Sequence, residues 1–245
     1  LIIKCEFPRV IANEVIHAYF KLDAGLMTHA HVAVRSSATA EDLPDASFAG
    51  QQETYLNVYG EANLIEKIKE AWASLFTARA IFYRTTHKFD HFKVGIAIPV
   101  QKMIESDTSG IMFTIDPVTN DKHVIVIEAI DGLGEMIVQG SVTPDHYEVD
   151  KASFAIRLKS VKLQEKKMVK KGHGNVVVGV TKKDGGKQKI SDAHIIELAG
   201  IAKKLEEHYF FPQDSEWAIA KGKIYIVQTR PVTTTGTHVQ SQKSK

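Results

Sequence analysis

The spacing of apolar positions divides the chain into helical and strand-like stretches before any single residue is weighed. Between residues 13 and 27, Val15, Ile16, Tyr19, Phe20 and Leu22 recur at helical spacing, and HVAVR from His31 to Arg35 then reads as a short buried strand. Residues 36–54 contain Gly and Pro breakers and almost no large apolar side chain, too little to bury and too long for an ordinary connection. From Glu61 to about Thr86, the positions Leu64, Ile68, Trp72, Leu75, Arg79 and Phe82 recur at three or four and predict one long amphipathic helix with a core-facing stripe. From Lys93 onward VGIAIPVQKMI, GIMFTI and VIVIEAI, separated by ESDTS and DPVTNDKH, have the rhythm of sequential antiparallel strands. A turn or short helix is expected over Gly132 to Gly140, and HYEVD and FAIRLKSVKL continue the strand pattern.

The last third is equally segmented. The Lys- and Gly-rich stretch from Gln164 to Lys189 reads as a solvated hairpin with VVVGV as one arm. Ser191 or Asp192 caps a helix through IIELAGIAKKLEEHYF, and EWAIA, KGK and IYIVQTRPV close the fold as a hairpin before a polar tail from Thr233 to Lys245. The alternation of both element types, without internal repeats, predicts a mixed α+β architecture.

Composition changes this picture little. At 245 residues and 44% hydrophobic, the chain is long enough for one large domain or two small lobes with a sizeable core. Lys plus Arg number 31 against 29 Asp plus Glu, so no global cationic field argues for nucleic acid or an anionic membrane. Cys5 is the only cysteine, which rules out an internal disulfide and fits a reducing, cytoplasmic setting. No apolar run approaches the roughly 20 residues of a membrane span.

The familiar chemical motifs are missing. Gly185, Gly186 and Lys187 lack the upstream Gly of a P-loop, Gly132-Leu133-Gly134 does not continue as GxGxxG, and no CxxC, HExxH or paired-His spacing occurs. Any bound metal is therefore expected to be hard and oxygen-ligated. The closing hairpin is more informative. A three-residue turn at Lys221-Gly222-Lys223 pairs Ala220 with Ile224, Ala218 with Ile226 and Glu216 with Gln228, with Arg230 on the same face. That trio suits Mg²⁺ and the polyphosphate it carries; a two-residue turn shifts the register by one, and a solvated edge hairpin has the same composition. The 36–54 loop reads either as a lid over phosphates, with Arg35 as a fixed charge beside it, or as a surface loop. Asp116, Glu128 and Glu135 fall at strand ends, facing either a site or water.

One further signal lies in the strings themselves. VAVRSSATAEDLPDASFAGQQETYLNV (Val32 to Val58) closely resembles the nucleotide-binding domain of phosphoenolpyruvate synthases. In the same order follow ASLFTARAIFYR, VQKMIESDTSGIMFTIDP, IEAIDGLGEMIVQGSVTPDHYEVDK and PQDSEWAIAKGKIYIVQTRP, so the resemblance runs from about Phe7 to Thr233. It implies an ATP-grasp-like domain over residues 1–232, of two lobes and incomplete at its N-terminus, with 233–245 as linker or tail. It implies further that Arg35 holds ATP phosphates, that Gly50 and Thr54 belong to a phosphate-covering loop, and that Gln101 sits at the nucleotide. Glu216 and Gln228 match the family's positions at the metal, taken as Mg²⁺, and Arg230 the arginine beside them.

In this family the β-phosphoryl group of ATP passes to a histidine on a swivelling domain and then to pyruvate on a third. Neither domain is expected here, and the opening Gly- and Lys-containing segment is expected before Leu1, so this piece alone is expected to be inactive. Ser215 departs from the family pattern, which calls for an apolar residue before Glu216. A rifamycin-inactivating phosphotransferase shares the architecture and loop, and a stand-alone nucleotide-binding module is the non-enzymatic alternative. Pyruvate phosphate dikinase has a Met- and Gly-rich loop in place of AEDLPDASFAG.

Overall fold

A computed structural model describes residues 2–22, 29–38, 42–43, 46–47 and 54–232. The chain divides into two compact units, one formed by Leu1–Met103 with Lys170–Asn175, the other by Ile104–Val169 with Val176–Lys245. Helices and antiparallel sheets are mixed in an α+β arrangement.

In the first unit the helices Arg9–Lys21 and Glu61–Ala73 pack against a three-stranded sheet. Its central strand, Val32–Arg35, is flanked antiparallel by Thr54–Val58 and Val100–Lys102. Val32 and Val34 are fully buried and meet Tyr19, Val58, Leu64, Ile68 and Ala71, so one face of the sheet is the core face. Thr54–Val58 carries a bulge, because three steps from Val58 to Tyr55 match two from Val32 to Val34. Asn57 takes a positive φ of 57° there, and the extra residue moves Thr54 off the face that Val58 occupies.

The predicted long helix from Glu61 is broken. It ends at Ala73, a 3₁₀ turn spans Ser74–Phe76, and a second helix runs over Ala78–Thr86. Thr77 is extended, and its hydroxyl accepts the Ala80 N–H at 3.3 Å, which caps the new helix. The stripe fails accordingly: Phe82 is 74% exposed, whereas Arg84 is fully buried.

The second unit is built on a six-stranded antiparallel sheet, ordered Ile156–Ser160, Asp145–Asp150, Val124–Asp131, Thr108–Phe113, Gln213–Ala220, Lys223–Pro231. One face is covered by the helix Asp192–Tyr209, whose Ile195, Leu198, Ala199 and Ala202 pack on Met112, Ile125, Ile127, Tyr147, Val149, Trp217 and Ile219. Ser191 is the cap, its hydroxyl accepting the His194 N–H at 3.2 Å. Gly110 is required under this helix: a Cβ there would lie 1.8 Å from the Glu128 carbonyl oxygen and 2.5 Å from the Trp217 ring. The Lys-rich segment forms the expected hairpin, Lys166–Lys171 against Gly174–Gly179.

Candidate functional site

The residues singled out by sequence fall on two sheets. On the three-stranded sheet Arg35 is the direct ladder partner of Thr54, and Gln101 pairs with Ala33, two residues before Arg35. All three therefore share the face opposite Val32 and Val34. The Arg35 N–H donates to the Pro99 carbonyl at 3.0 Å, which holds the end of this strand. Gly50 lies outside the described residues, as do most of the residues between Ser36 and Thr54. Of that loop, Ser37–Ala38 pairs with Ile96–Ala97, and Asp42–Leu43 pairs with Ala46–Ser47.

On the six-stranded sheet the closing hairpin differs from the sequence expectation in its turn and agrees with it at the site. The turn has two residues, Lys221 and Gly222, with φ of 51° and 73°, so Ala220 pairs with Lys223 and Trp217 with Ile226. Paired positive φ values are the mark of the type I′ hairpin turn, whose twist matches that of the strands. A bulge at Val227 then restores the register, and Glu216 stands opposite Gln228, Ser215 opposite Thr229 and Asp214 opposite Arg230. The bulge also changes which face is presented. Ile224 and Ile226 pack toward the core, and strict alternation would send Gln228 and Arg230 after them. The inserted residue turns both outward, onto the face of Glu216 and Asp214.

The core side of the same segment explains the departure at Ser215. Its hydroxyl is buried and lies 2.9 Å from that of Thr229, which in turn donates to Gln213 Oε1 at 3.0 Å. The Gln213 N–H donates to the Thr114 hydroxyl at 2.8 Å. A polar residue before Glu216 is thus matched by polar partners, and local packing closes around it.

Two further groups lie on the open face; Asp214 and His146 in them were not singled out by sequence, and Glu128, expected at a strand end, sits within the strand Val124–Asp131. Asp214 takes Arg230 in a two-pronged ion pair, Nε at 2.8 Å and an Nη at 2.7 Å from Oδ2, so the guanidinium is oriented before any ligand arrives. Three strands from Gln228, in register through Glu216 and Ile111, lies Glu128, and His146 is next. The imidazole bridges two carboxylates, Nδ1 being 3.7 Å from Glu128 and Nε2 3.3 Å from Glu148. Ile111, Phe113 and Val126 form an apolar floor between the two polar groups. The spacing of Asp214 and Glu216, and of His146 and Glu148, two residues apart on their strands, was the available signal. Glu135 begins a short helix, Glu135–Val138. Burial raises the Asp116 carboxyl, but hydrogen bonds from the Thr119 hydroxyl and the Val118 and Thr119 N–H groups, with the charge of His146, hold it below the usual range.

Among the described residues no group of three His, Cys, Asp or Glu side chains is arranged to hold a metal ion. Glu216 and Gln228 instead offer a carboxylate and an amide oxygen side by side. Such a sparse, hard donor set fits an ion such as Mg²⁺, which keeps waters and phosphate oxygens in most of its coordination sphere.

The model of the pyruvate phosphate dikinase AMP/ATP-binding domain matches residues 1–245. The chain belongs to that family. It is 50% identical over 244 residues to a probable phosphoenolpyruvate synthase of Pyrococcus horikoshii, covering 96% of this chain and 30% of the relative. The phosphoenolpyruvate synthase of Aquifex aeolicus is 48% identical over 246 residues, 93% of this chain and 29% of its own. A rifampicin phosphotransferase of Bacillus cereus is 45% identical over 239 residues, 96% of this chain and 26% of its own. The chain thus spans about 30% of the length of the first of these curated relatives. No described helix is long and apolar enough to cross a membrane.

Proposed function

We propose that this chain is the ATP-binding part of a phosphoenolpyruvate synthase, with an ATP-grasp-like fold. The observation that carries the reading is the bulge at Val227, which sets Glu216 against Gln228 and turns Arg230 outward, in a chain half identical to proteins of that name. A bulge that exposes an amide and a guanidinium beside two carboxylates has little to offer packing; it re-aims side chains for a ligand. Glu216 and Gln228 would hold Mg²⁺, which when bound neutralises phosphate charge. Arg230, aligned by Asp214, presents its remaining N–H donors to phosphate oxygens, a task for which its planar fork is suited. On the other sheet Arg35 would contact phosphates, Thr54 and Gly50 would belong to the covering loop, and Gln101 would lie at the nucleotide.

In the whole enzyme ATP, pyruvate and water would give phosphoenolpyruvate, AMP and phosphate, the β-phosphoryl group passing through a histidine of another domain of the same polypeptide. The identity to a rifampicin phosphotransferase supplies the competing acceptor. An assay of the full-length protein for AMP formation, with pyruvate and rifampicin offered separately, tests the reading. Pyruvate-dependent AMP and phosphoenolpyruvate are expected. AMP formed only with rifampicin, or Mg²⁺-ATP binding that survives Glu216→Ala unchanged, overturns it.

A further inference from the structure

The Lys-rich hairpin has an unexpected tip. Residues Lys170–Asn175 belong to the first unit, whereas the rest of both hairpin strands, 166–169 and 176–179, belongs to the second. There His173 stacks on Tyr59, with ring centroids 4.1 Å apart and planes 24° from parallel. His31 lies against the same two rings, 4.8 Å from Tyr59 and 5.6 Å from His173, the second contact stacked at 21°. His29 meets Tyr59 edge-on at 5.6 Å and stacks on Tyr19 at the same distance. The Tyr19 hydroxyl fixes the nest from below, donating to the Ala30 carbonyl at 2.5 Å and accepting the Gly60 N–H at 3.2 Å. Beside the rings the Asn57 amide donates to the Asn175 side chain. Asn57 sits in the bulge that turns Thr54 onto the face of Arg35.

The seat is made of groups that differ in their response to a proton. A single imidazolium over the Tyr59 face is tolerated, since the ring quadrupole attracts a cation. Two imidazolium rings stacked on one another are disfavoured, because like charges at this separation repel, His31 being half-buried and His173 exposed. The charged groups around them tilt the balance further. Lys170 and Lys171 precede the tip, Lys102 pairs with Val32 next to His31 and its ammonium binds the Leu22 carbonyl at 3.2 Å, and the acid next in sequence is Glu61 at the start of the following helix. Among the described residues Tyr59 faces both rings, and His29 and Tyr19 follow behind it, His29 edge-on to Tyr59 and stacked on Tyr19.

We propose that the seat of this hairpin tip is a proton-operated latch. It holds while His31 and His173 carry at most one positive charge between them, and opens when both are protonated, releasing Asn175 from Asn57. Imidazoles change charge between about pH 5 and 8, which sets the window.

Amide exchange of residues 172–176 and 57–60 in the full chain, normalised to intrinsic rates at each pH, reads the latch directly. Protection is expected to fall at least about tenfold from pH 7.5 to pH 5 in the native sequence. His173→Phe keeps a ring on Tyr59 but cannot take the second charge, so its protection should be flat with pH; His31→Phe should behave likewise. His173→Ala should lose protection at both ends of the range. PH-independent protection in the native protein, or an undiminished pH response in both Phe variants, overturns the proposal.

Discussion

The two sheets that carry the candidate residues, one in each unit, use the same device with different support. In each, one straight strand, Val32–Arg35 or Gln213–Ala220, lies beside a bulged one, and the bulge decides which side chains reach the open face. Without them Thr54 would share the side of Val58, and Gln228 and Arg230 the side of Ile224 and Ile226. In the three-stranded sheet the bulge holds a polar residue at positive φ, Asn57, anchored by the Asn175 side chain. In the six-stranded sheet Val227 takes no such conformation, and support comes from the pairs beyond it, Ser215 with Thr229 and Asp214 with Arg230. A bulge can thus be pinned at its own residue or by its flanks, and the two should fail differently.

Deleting Val227 tests the flank-supported case most severely. The strand then has either to bury Gln228 and Arg230 under the helix Asp192–Tyr209 or to give up its pairing beyond Ile226. Burying an arginine parted from Asp214 costs about 3–5 kcal/mol, so a large fall in the midpoint of denaturant unfolding is expected. A midpoint near that of the parent would mean that the bulge does not set the face. Glu216→Ala is milder for the fold, since Glu216 is on the open face, and harsher for function. In the full-length enzyme kcat/KM should fall at least about 100-fold, the upper range for outer-shell changes and a lower bound for a direct ligand. Raised Mg²⁺ should restore part of it, and steady-state assays over a metal titration check both points.

These expectations also mark how far the sequence could be read. The α+β alternation, a helix cap at Ser191 or Asp192, the Lys-rich hairpin and the facing of Glu216 and Gln228 were legible, because periodicity and cap chemistry are local. The turn was not. Lys221-Gly222-Lys223 is compatible with two- and three-residue turns, and the right partner for Glu216 was reached through a longer turn where the chain uses a shorter turn and a bulge. Bulges leave no periodic trace, and Val227 differs from a regular strand residue only through what Ile226 and Gln228 must face. The break at Thr77 was missed for a related reason: no Gly or Pro marks it, and the Thr hydroxyl that caps the next helix looks like any other surface hydroxyl. Asp214 went unnoticed although it lies two residues from Glu216, because a lone carboxylate gains meaning only when Arg230 is placed opposite it.

The self-pinned bulge should respond to a smaller change. Asn57→Ala removes the bond to Asn175 and places a residue with no compensating side chain at φ 57°. A lost net hydrogen bond and a left-handed Cβ together suggest about 1–2 kcal/mol, small enough for the fold to persist. Weakened nucleotide affinity with an intact fold would show that the bulge positions Thr54; unchanged affinity would confine its role to stability.

The smallest test leaves both bulges alone and asks whether the lead-in to the six-stranded sheet is strained. Phe210 ends the helix Asp192–Tyr209 in the left-handed conformation, φ 63° and ψ 14°, with its N–H on the Glu206 carbonyl at 2.8 Å and its ring 87% exposed. Glycine is the usual residue at such a cap, since an L side chain there crowds the following carbonyl at a cost of about 1–2 kcal/mol. Phe210→Gly relieves that crowding, while the freer unfolded chain returns about 0.5–1 kcal/mol to the denatured state. The net gain should be about 0.5–1 kcal/mol, a rise of roughly 1–4 °C in Tm for a chain of this size. Phe210→Ala keeps the Cβ and should gain nothing, so thermal scans of the pair separate relief of backbone strain from loss of the aromatic ring. If Phe210→Gly also changes Mg²⁺-nucleotide binding, the strand Gln213–Ala220 that it leads into transmits the cap to Asp214 and Glu216, and the flank-supported bulge has a third point of support.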